Sequence, residues 1–204
     1  MNQLVPLVRI VDDDASFLTA VARLLLASGF AVKTFASADD FLSRPEPDVP
    51  GCVIVDLQMP VMNGLDLQKA LAKEGCALPV IFLTGQGDIP STVQAMRRGA
   101  EDFLTKTASK EELLDAVHRA IDRDRRERTG RTRQDALAAR FATLTPRERE
   151  VLEQVMMGKL NKQIAYDLGI NERTVKLHRT SIKSKLNVCS TNEMTKLCLE
   201  YGNL

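Results

Sequence analysis

Five short apolar runs in the first half of the chain constrain the fold more than any other feature. The runs are LVRIV, AVKTF, CVIVD, PVIFL and EDFL. Amphipathic segments lie between them, such as the one in which Phe17, Val21 and Leu24 recur at spacings of four and three. Strands that alternate with helices are typical of βα repeats, which build a parallel sheet. We therefore predict a doubly wound α/β domain with five parallel strands over residues 1–122.

A charged stretch follows this region. Apolar side chains are nearly absent from Ile121 to Leu137, whereas Arg, Asp and Glu are frequent, so we do not expect a buried core helix there. We predict a mostly helical linker over residues 123–142. Gly130 is a candidate break in that helix, and the alternative is one unbroken helix of about 30 residues, roughly 45 Å long. Beyond it, apolar side chains recur at helical spacing, which predicts an all-α domain over residues 143–204.

Composition and charge narrow the class of protein. The 204 residues are 44% hydrophobic and 27% charged, as in soluble globular proteins of two small domains. No segment is apolar for long enough to span a bilayer, and the N-terminal MNQLVPLVRIVDDD has no signal-peptide pattern, so we expect a cytoplasmic protein without a membrane partner. The four cysteines lack the paired spacing of a zinc or redox site. An excess of basic residues in the all-α domain weakly favours an anionic partner.

Chemically informative side chains follow four of the five predicted strands. They are Asp12, Asp13 and Asp14 after the first, Asp56 at the end of the third, Thr84 at the end of the fourth and Lys106 beyond the fifth. Because the carboxyl ends of parallel strands converge, we expect one site. Clustered carboxylates repel one another unless a cation neutralises them, and hard oxygen ligands favour Mg²⁺. A carboxylate can also form an aspartyl phosphate.

The motifs VDDD, VDLQMPVMNGLDL, FLTG and DFLTK resemble, in order and spacing, those of response-regulator receiver domains, which have a flavodoxin-like fold. The resemblance implies that Asp56 accepts a phosphoryl group from a histidine kinase and that Thr84 and Lys106 contact it. It also implies that Mg²⁺ is bound by Asp12, Asp13, Asp56 and the backbone carbonyl of Gln58. For Asp14 we prefer capping of the first helix to metal ligation.

Two further positions bear on this resemblance. Phe103 matches the aromatic switch of receivers, which moves together with Thr84, and plain core packing is the alternative. Receivers usually have a proline after the lysine, commonly with a cis peptide bond, whereas this chain has Thr107. We therefore expect either a trans bond with a rearranged loop or a strained cis bond, which costs about 2.5 to 4 kcal/mol without proline.

The segment LTPREREVLEQVMMGKLNKQIAYDLGINERTVKLHRTSIKSKLNV resembles the LuxR-type helix-turn-helix of the FixJ/NarL family. Thr145, Pro146 and Glu148 are typical of a helix start, with a hydroxyl cap and an acid near the positive helix end. Gly169 is expected to end a second helix. Asn171 is expected to cap a third helix, which runs to about Leu186.

One face of this third helix carries Val175, Ile182 and Leu186, so the opposite face should enter the major groove of promoter DNA. Lys176 is a candidate for guanine edges, and Leu177 or Thr180 for thymine methyl groups, whereas the flanking basic residues suit phosphates. The full set of predicted DNA contacts is Lys162, Thr174, Lys176, Leu177, Arg179, Thr180, Lys183, Ser184 and Lys185.

The last helix carries one apolar stripe, formed by Met194, Leu197, Cys198 and Tyr201. The stripe either covers its own domain or, as in the resembled family, pairs two DNA-binding domains. We therefore interpret the chain as a transcription regulator, homodimeric when phosphorylated, with RNA polymerase as a candidate partner. The alternatives are a phosphohydrolase, for which the sequence offers no general acid or specificity cap, and an interaction module whose switch ignores phosphate, which Thr107 suggests.

Overall fold

The computed structural model describes residues 5–43, 46–85 and 89–202. The first four residues of the segment without a signal pattern, and the last two of the predicted all-α domain, lie outside these ranges. Within them, no helix combines the length and apolar character that a membrane span needs. The chain divides into two compact units, one ending at Arg128 and the other beginning at Thr129.

The first unit contains a five-stranded parallel sheet, as predicted. Its strands are β1 (Leu7–Val11), β2 (Ala31–Phe35), β3 (Gly51–Val55), β4 (Val80–Thr84) and β5 (Asp102–Thr105). They lie in the order β2-β1-β3-β4-β5. Because Val11 pairs with Val55 in the β1–β3 register, the next residue of each strand, Asp12 and Asp56, is brought to the same edge.

Helices cover both faces of this sheet. They are α1 (Ala15–Ala27), α2 (Ala38–Ser43), α3 (Gly64–Lys73), α4 (Ile89–Arg97) and the first part of α5 (Lys110–Ala142). Side chains alternate along each strand, so Val8 and Ile10 pack with α1 and α5, whereas Val11 packs with α2 and α3. As expected, Asp14 caps α1, since its carboxylate accepts hydrogen bonds from the backbone N–H groups of Ser16 and Phe17.

The stretch predicted as a linker is helical, and α5 continues through Gly130 to Ala142. Its first part belongs to the first unit, because Asp124 is 1% exposed and its Oδ2 accepts a hydrogen bond from the backbone N–H of Gly51 at 2.9 Å. Its last part belongs to the second unit, where Leu137 and Phe141 are buried. The division between the units therefore falls inside the predicted linker rather than at its ends.

The second unit is all-α, as predicted. Its helices, besides the end of α5, are α6 (Pro146–Met156), α7 (Asn161–Asp167), α8 (Glu172–Leu186) and α9 (Thr191–Tyr201). The helix signals behave as expected: Thr145 and Glu148 form a capping box with Pro146 in the first turn. The carboxamide of Asn171 caps α8 by accepting from the N–H of Thr174. The Asn171 cap starts α8 four residues after α7 ends at Asp167, which gives the short turn that a helix-turn-helix requires.

Candidate functional site

Three carboxylates meet where β1 and β3 end. One oxygen from each of Asp12, Asp13 and Asp56 lies within 4.8 Å of the other two. Asp12 and Asp56 are buried, whereas Asp13 is exposed to solvent. Burial raises the pKa of Asp12, against the effect of its hydrogen bonds with Lys106 and the N–H of Asp14. A set of hard oxygen donors, partly open to water, fits Mg²⁺.

Lys106 reaches two of these carboxylates. Its Nζ lies 2.6 Å from Asp12 Oδ2 and 2.9 Å from Asp56 Oδ2. Its backbone N–H donates to the carbonyl of Thr84 at 2.7 Å, which fixes the start of the loop after β5. Burial lowers the pKa of Lys106, but the contacts with Asp12 and Asp56 outweigh that effect and raise it. The ammonium therefore stays charged in the cluster.

Thr107 does not displace Lys106. No peptide bond among the described residues is cis, so the trans alternative applies to the bond between Lys106 and Thr107. The hydroxyls of Thr105 and Thr107 lie 2.9 Å apart in hydrogen-bonding contact. The N–H of Ala108 donates to the carbonyl of Thr105 at 2.9 Å, which closes a tight turn. Lys106 thus reaches the carboxylates without a proline.

The two candidate switch residues lie on one face of the sheet. Thr84 is fully buried at the end of β4, two residues after Phe82. Phe82 pairs with Phe103 across the β4–β5 ladder, and their rings stack with centroids 5.7 Å apart. Phe103 is half-buried and packs at the edge of the core that contains Phe82.

The loop after Asp56 is held close to the cluster. The N–H of Gln58 donates to Asp56 Oδ1 at 3.3 Å, and the N–H of Gly64 donates to the carbonyl of Leu57 at 3.0 Å. A Cβ at Gly64 would lie 2.4 Å from the backbone oxygen of Asp56, so only glycine fits there. The loop therefore places the backbone of Gln58 beside the carboxylates.

The exposed face of α8 matches the predicted groove-facing side. Val175, Ile182 and Leu186 are fully buried. The side chains exposed on the opposite side are those of Lys176, Leu177, Thr180 and Ser184, and Leu177 is 65% exposed. An apolar side chain so exposed next to a lysine is suited to a thymine methyl group. Lys162 is exposed on α7, and Lys183 is half-buried on α8.

Two family models match the chain, the first over the unit with the carboxylate cluster and the second over the unit with α8. The model described as "Response regulator receiver domain" matches residues 8–118, and the one described as "Bacterial regulatory proteins, luxR family" matches residues 142–198. The chain belongs to the response regulators with a LuxR-type DNA-binding domain. Its function is therefore phosphorylation-dependent regulation of transcription.

Relatives of this response regulator extend over nearly its whole length. Nodulation protein W of Bradyrhizobium diazoefficiens is 40% identical over 96% of this chain and 86% of its own. Transcriptional regulatory protein FixJ of Azorhizobium caulinodans is 38% identical over 96% of this chain and 92% of its own. Among solved structures, that of response regulator StyR matches with a TM-score of 0.91 and 42% identity, covering 97% of this chain and all of StyR.

Several of the predicted DNA contacts of the response regulator have partners within their own domain. Arg179 donates to Asn161 Oδ1 at 3.0 Å and to Thr191 Oγ1 at 3.2 Å, which connects α8 to the starts of α7 and α9. Lys185 forms an ion pair with Glu148 Oε2 at 2.7 Å. Both side chains therefore hold α8 in place, and neither is a simple surface cation. Thr174 likewise bonds the α8 cap, through its N–H and its hydroxyl.

The apolar stripe of α9 faces the domain of the response regulator to which it belongs. Met194 and Cys198 are buried, and Leu197 packs against the same core. The ring of Tyr201 stacks on Phe141 with centroids 4.3 Å apart. Of the two readings of this stripe, covering its own domain is the one that these contacts support.

Sequence reasoning missed two residues at the sites. Phe17 was interpreted only as part of the apolar stripe of α1, yet its ring centroid lies 4.3 Å from Lys106 Nζ. Glu148 was interpreted as a helix-capping acid, yet it also holds Lys185 and Ser181. In both cases the local sequence indicates only a core position or a helix cap. It does not indicate the additional contact, because the partners come from distant segments.

Proposed function

We propose that Asp56 accepts a phosphoryl group from a cognate histidine kinase and that this modification controls binding of promoter DNA by α8. The observation that carries the proposal is Lys106 Nζ, 2.9 Å from Asp56 Oδ2 and 2.6 Å from Asp12 Oδ2. A cation held at a carboxylate in this way is placed to stabilise the oxygens of an incoming phosphoryl group.

Each side chain of the cluster has a role in the proposed transfer. A carboxylate oxygen of Asp56 is the nucleophile, and the ammonium of Lys106 and the hydroxyl of Thr84 donate hydrogen bonds to the transferred oxygens. Asp12, Asp13, Asp56 and the carbonyl of Gln58 would hold Mg²⁺, which neutralises charge on the carboxylates and on the phosphoryl group. The chain catalyses only the transfer of a phosphoryl group to its own Asp56, so we propose no further enzymatic activity.

The proposed switch uses Thr84 and Phe103. Thr84 turns its hydroxyl towards the phosphoryl group, and the half-buried ring of Phe103 moves inward along the face that it shares with Phe82. Shifting such an equilibrium from 1:99 to 99:1 requires about 5.5 kcal/mol of differential stabilisation. Charge-assisted hydrogen bonds from Lys106 and Thr84 are strong enough to contribute a large part of it.

The proposed output is a homodimer that binds duplex promoter DNA in the cytoplasm and contacts RNA polymerase there. Lys176, Leu177, Thr180 and Ser184 form the groove-facing side of α8. Lys162 and Lys183 suit phosphate contacts, and Thr174 lies at the N-terminal end of the helix, close to the DNA backbone. Arg179 and Lys185 contribute by holding α8 in its domain.

Phosphorylation by acetyl phosphate with Mg²⁺, followed by mass spectrometry of the intact chain, tests the acceptor. We expect one added phosphoryl group on the parent chain and none on Asp56→Asn. The matched control is Asp66→Asn, because Asp66 is an exposed carboxylate of the same unit and should leave the reaction unchanged. Full labelling of Asp56→Asn would overturn the assignment, and hydrolysis of many equivalents of donor would favour a phosphohydrolase.

Beryllofluoride with Mg²⁺ tests the link from Asp56 to DNA, because it mimics the phosphoryl group without a kinase. We expect a larger species by light scattering and tighter binding to a duplex obtained by in vitro selection. Asp56→Ala should show neither change. Equal DNA affinity and size for the parent chain and Asp56→Ala under these conditions would favour a module whose switch ignores phosphate.

A further inference from the structure

The contact between Phe17 and Lys106 lies outside the roles assigned so far. We propose that Phe17 is a positioning residue for phosphoryl transfer to Asp56, because its ring face holds the ammonium of Lys106 beside the carboxylates. The inference rests on the proposed function of Asp56. It assigns the ring a role in the rate of the reaction in addition to its place in the core.

The geometry is that of a cation–π contact. Lys106 Nζ lies 4.3 Å from the centroid of the Phe17 ring, well inside the distance of about 6 Å at which such contacts are significant. The side chain of Lys106 is only 19% exposed, so the contact is partly shielded from water, which strengthens it. Asp12, Asp56 and the ring together fix an ammonium that otherwise lies at the end of a flexible four-carbon chain.

Phe17 is itself held in place by the segment that carries the cluster. Its N–H donates to Asp14 Oδ1 at 3.1 Å, in the first turn of α1. The N–H of Asp14 in turn donates to Asp12 Oδ1 at 2.9 Å. The ring also packs against the core between α1 and the sheet. One short segment therefore positions a carboxylate and an aromatic face around the same ammonium.

An aromatic face suits this position because the ammonium of Lys106 must move during phosphoryl transfer. During transfer, the ammonium gives up its contact with Asp56 and turns towards the phosphoryl oxygens. A third carboxylate would retain the ammonium and partly neutralise it, whereas a phenyl ring attracts the cation without a formal charge. The ring therefore keeps Lys106 near Asp56 and leaves its charge available to the transferred oxygens.

Site-specific incorporation of phenylalanines with one, two and three ring fluorines at position 17 tests the inference in the full chain. Fluorine withdraws charge from the ring face and leaves the packing nearly unchanged. We expect the rate constant of phosphorylation by acetyl phosphate to fall with each added fluorine, to about 3- to 30-fold below the parent chain in the trifluoro form. The Mg²⁺ concentration that gives half the maximal rate should stay within about twofold.

Substitutions and a second ring provide the controls. Phe17→Leu should slow the reaction as much as three fluorines do, and Phe17→Tyr, which keeps an aromatic face, should restore the parent rate. The same fluorinated residues at Phe30, a half-buried ring of the same unit that lies against His118, should leave the rate unchanged.

The outcomes separate this inference from the proposed function. Equal rates for all fluorinated forms, with labelling still lost in Asp56→Asn, would overturn the role of Phe17 alone. A uniform loss at Phe17 that does not depend on the number of fluorines, and that Phe17→Tyr does not rescue, would also overturn it and indicate a packing role. Labelling that persists in Asp56→Asn would overturn the proposed function instead.

Discussion

Lys185 Nζ lies 2.7 Å from Glu148 Oε2, and this ion pair joins α8 to the first turn of α6. Glu148 is 4% exposed and also accepts hydrogen bonds from the hydroxyl of Ser181 at 2.6 Å and the N–H of Thr145 at 2.8 Å. Burial opposes ionisation, but these bonds outweigh it and lower the pKa of Glu148 to about 2. Helix α8, which we propose faces DNA, is thus anchored by a buried charge.

The first prediction is that Glu148→Gln destabilises the all-α unit by about 3 kcal/mol at neutral pH, because it leaves Lys185 partly buried without its counter-charge. Hydrogen exchange of the α8 amides in the full chain measures this without requiring both units to unfold together. The control is Glu150→Gln, since the pair of Glu150 with Arg147 is exposed and should contribute less than about 1 kcal/mol. Equal exchange in both variants would contradict the anchoring role.

The same ion pair predicts a pH dependence. The folded-state pKa of Glu148, about 2, lies below its ordinary value of 4.5, so its contribution is fully present above pH 4.5 and is lost as the pH falls towards 2. We expect protection of the α8 amides to fall across this window in the parent chain. Glu148→Gln should show a smaller fall there, and a parallel fall in both proteins would indicate that other groups cause it.

A second prediction separates base contacts from phosphate contacts on α8. Lys176→Ala should relax sequence preference, because Lys176 is exposed at the centre of the groove-facing side. Lys183→Ala should weaken binding to all duplexes and reduce the salt dependence by about one counterion. Fluorescence anisotropy with selected and scrambled duplexes over a range of salt concentrations measures both effects. Lys196→Ala, an exposed lysine of α9, is the control, and equal effects of Lys176→Ala and Lys183→Ala would refute the assignment.

Val61 gives a third prediction. Its φ is 68° and its side chain is 98% exposed, so a β-branched residue adopts a left-handed conformation without any packing to offset the cost. Val61→Gly should therefore raise the free energy of unfolding of the α/β unit by about 1 kcal/mol. Urea denaturation followed by circular dichroism measures the change. Lower stability of Val61→Gly would mean that the side chain has a stabilising contact in solution.

The sequence predicted most of the fold, because the fold depends on local patterns. Each strand lies within one residue of its predicted run, since five apolar segments alternate with amphipathic ones. The cluster of Asp12, Asp13, Asp56 and Lys106 was predictable for a related reason: the topology of a parallel sheet brings the carboxyl ends of its strands together. Both inferences require only the order of the elements along the chain.

Side chains with distant partners could not be predicted in this way. In the sequence Asp124 is one of many charged residues in a polar stretch, yet its carboxylate accepts a hydrogen bond from the N–H of Gly51, 73 positions earlier. Lys185 and Arg179 read as basic residues beside a DNA-facing surface, yet both hold α8 to neighbouring helices. A charged side chain that is buried with a hydrogen-bond partner can occur in the same local sequence as one that is exposed to solvent. Only the tertiary contacts distinguish the two.

The last prediction concerns the stripe of α9. Tyr201 stacks on Phe141, and the same stretch of helices is joined by an ion pair between Arg133 and Glu200. Tyr201→Ala should therefore lower the stability of the all-α unit by about 1 kcal/mol through loss of the aromatic pair. The beryllofluoride-loaded variant should still form the same larger species as the parent chain by light scattering.

Leu199→Ala is the matched control for Tyr201→Ala, because Leu199 is 73% exposed on the opposite side of the same helix. It should leave the stability of the unit unchanged, as measured by exchange of the α9 amides. If Tyr201→Ala instead abolished the larger species without lowering that protection, the stripe would be a pairing surface between two chains. Loss of protection with an unchanged mass would show that the ring belongs to its own domain.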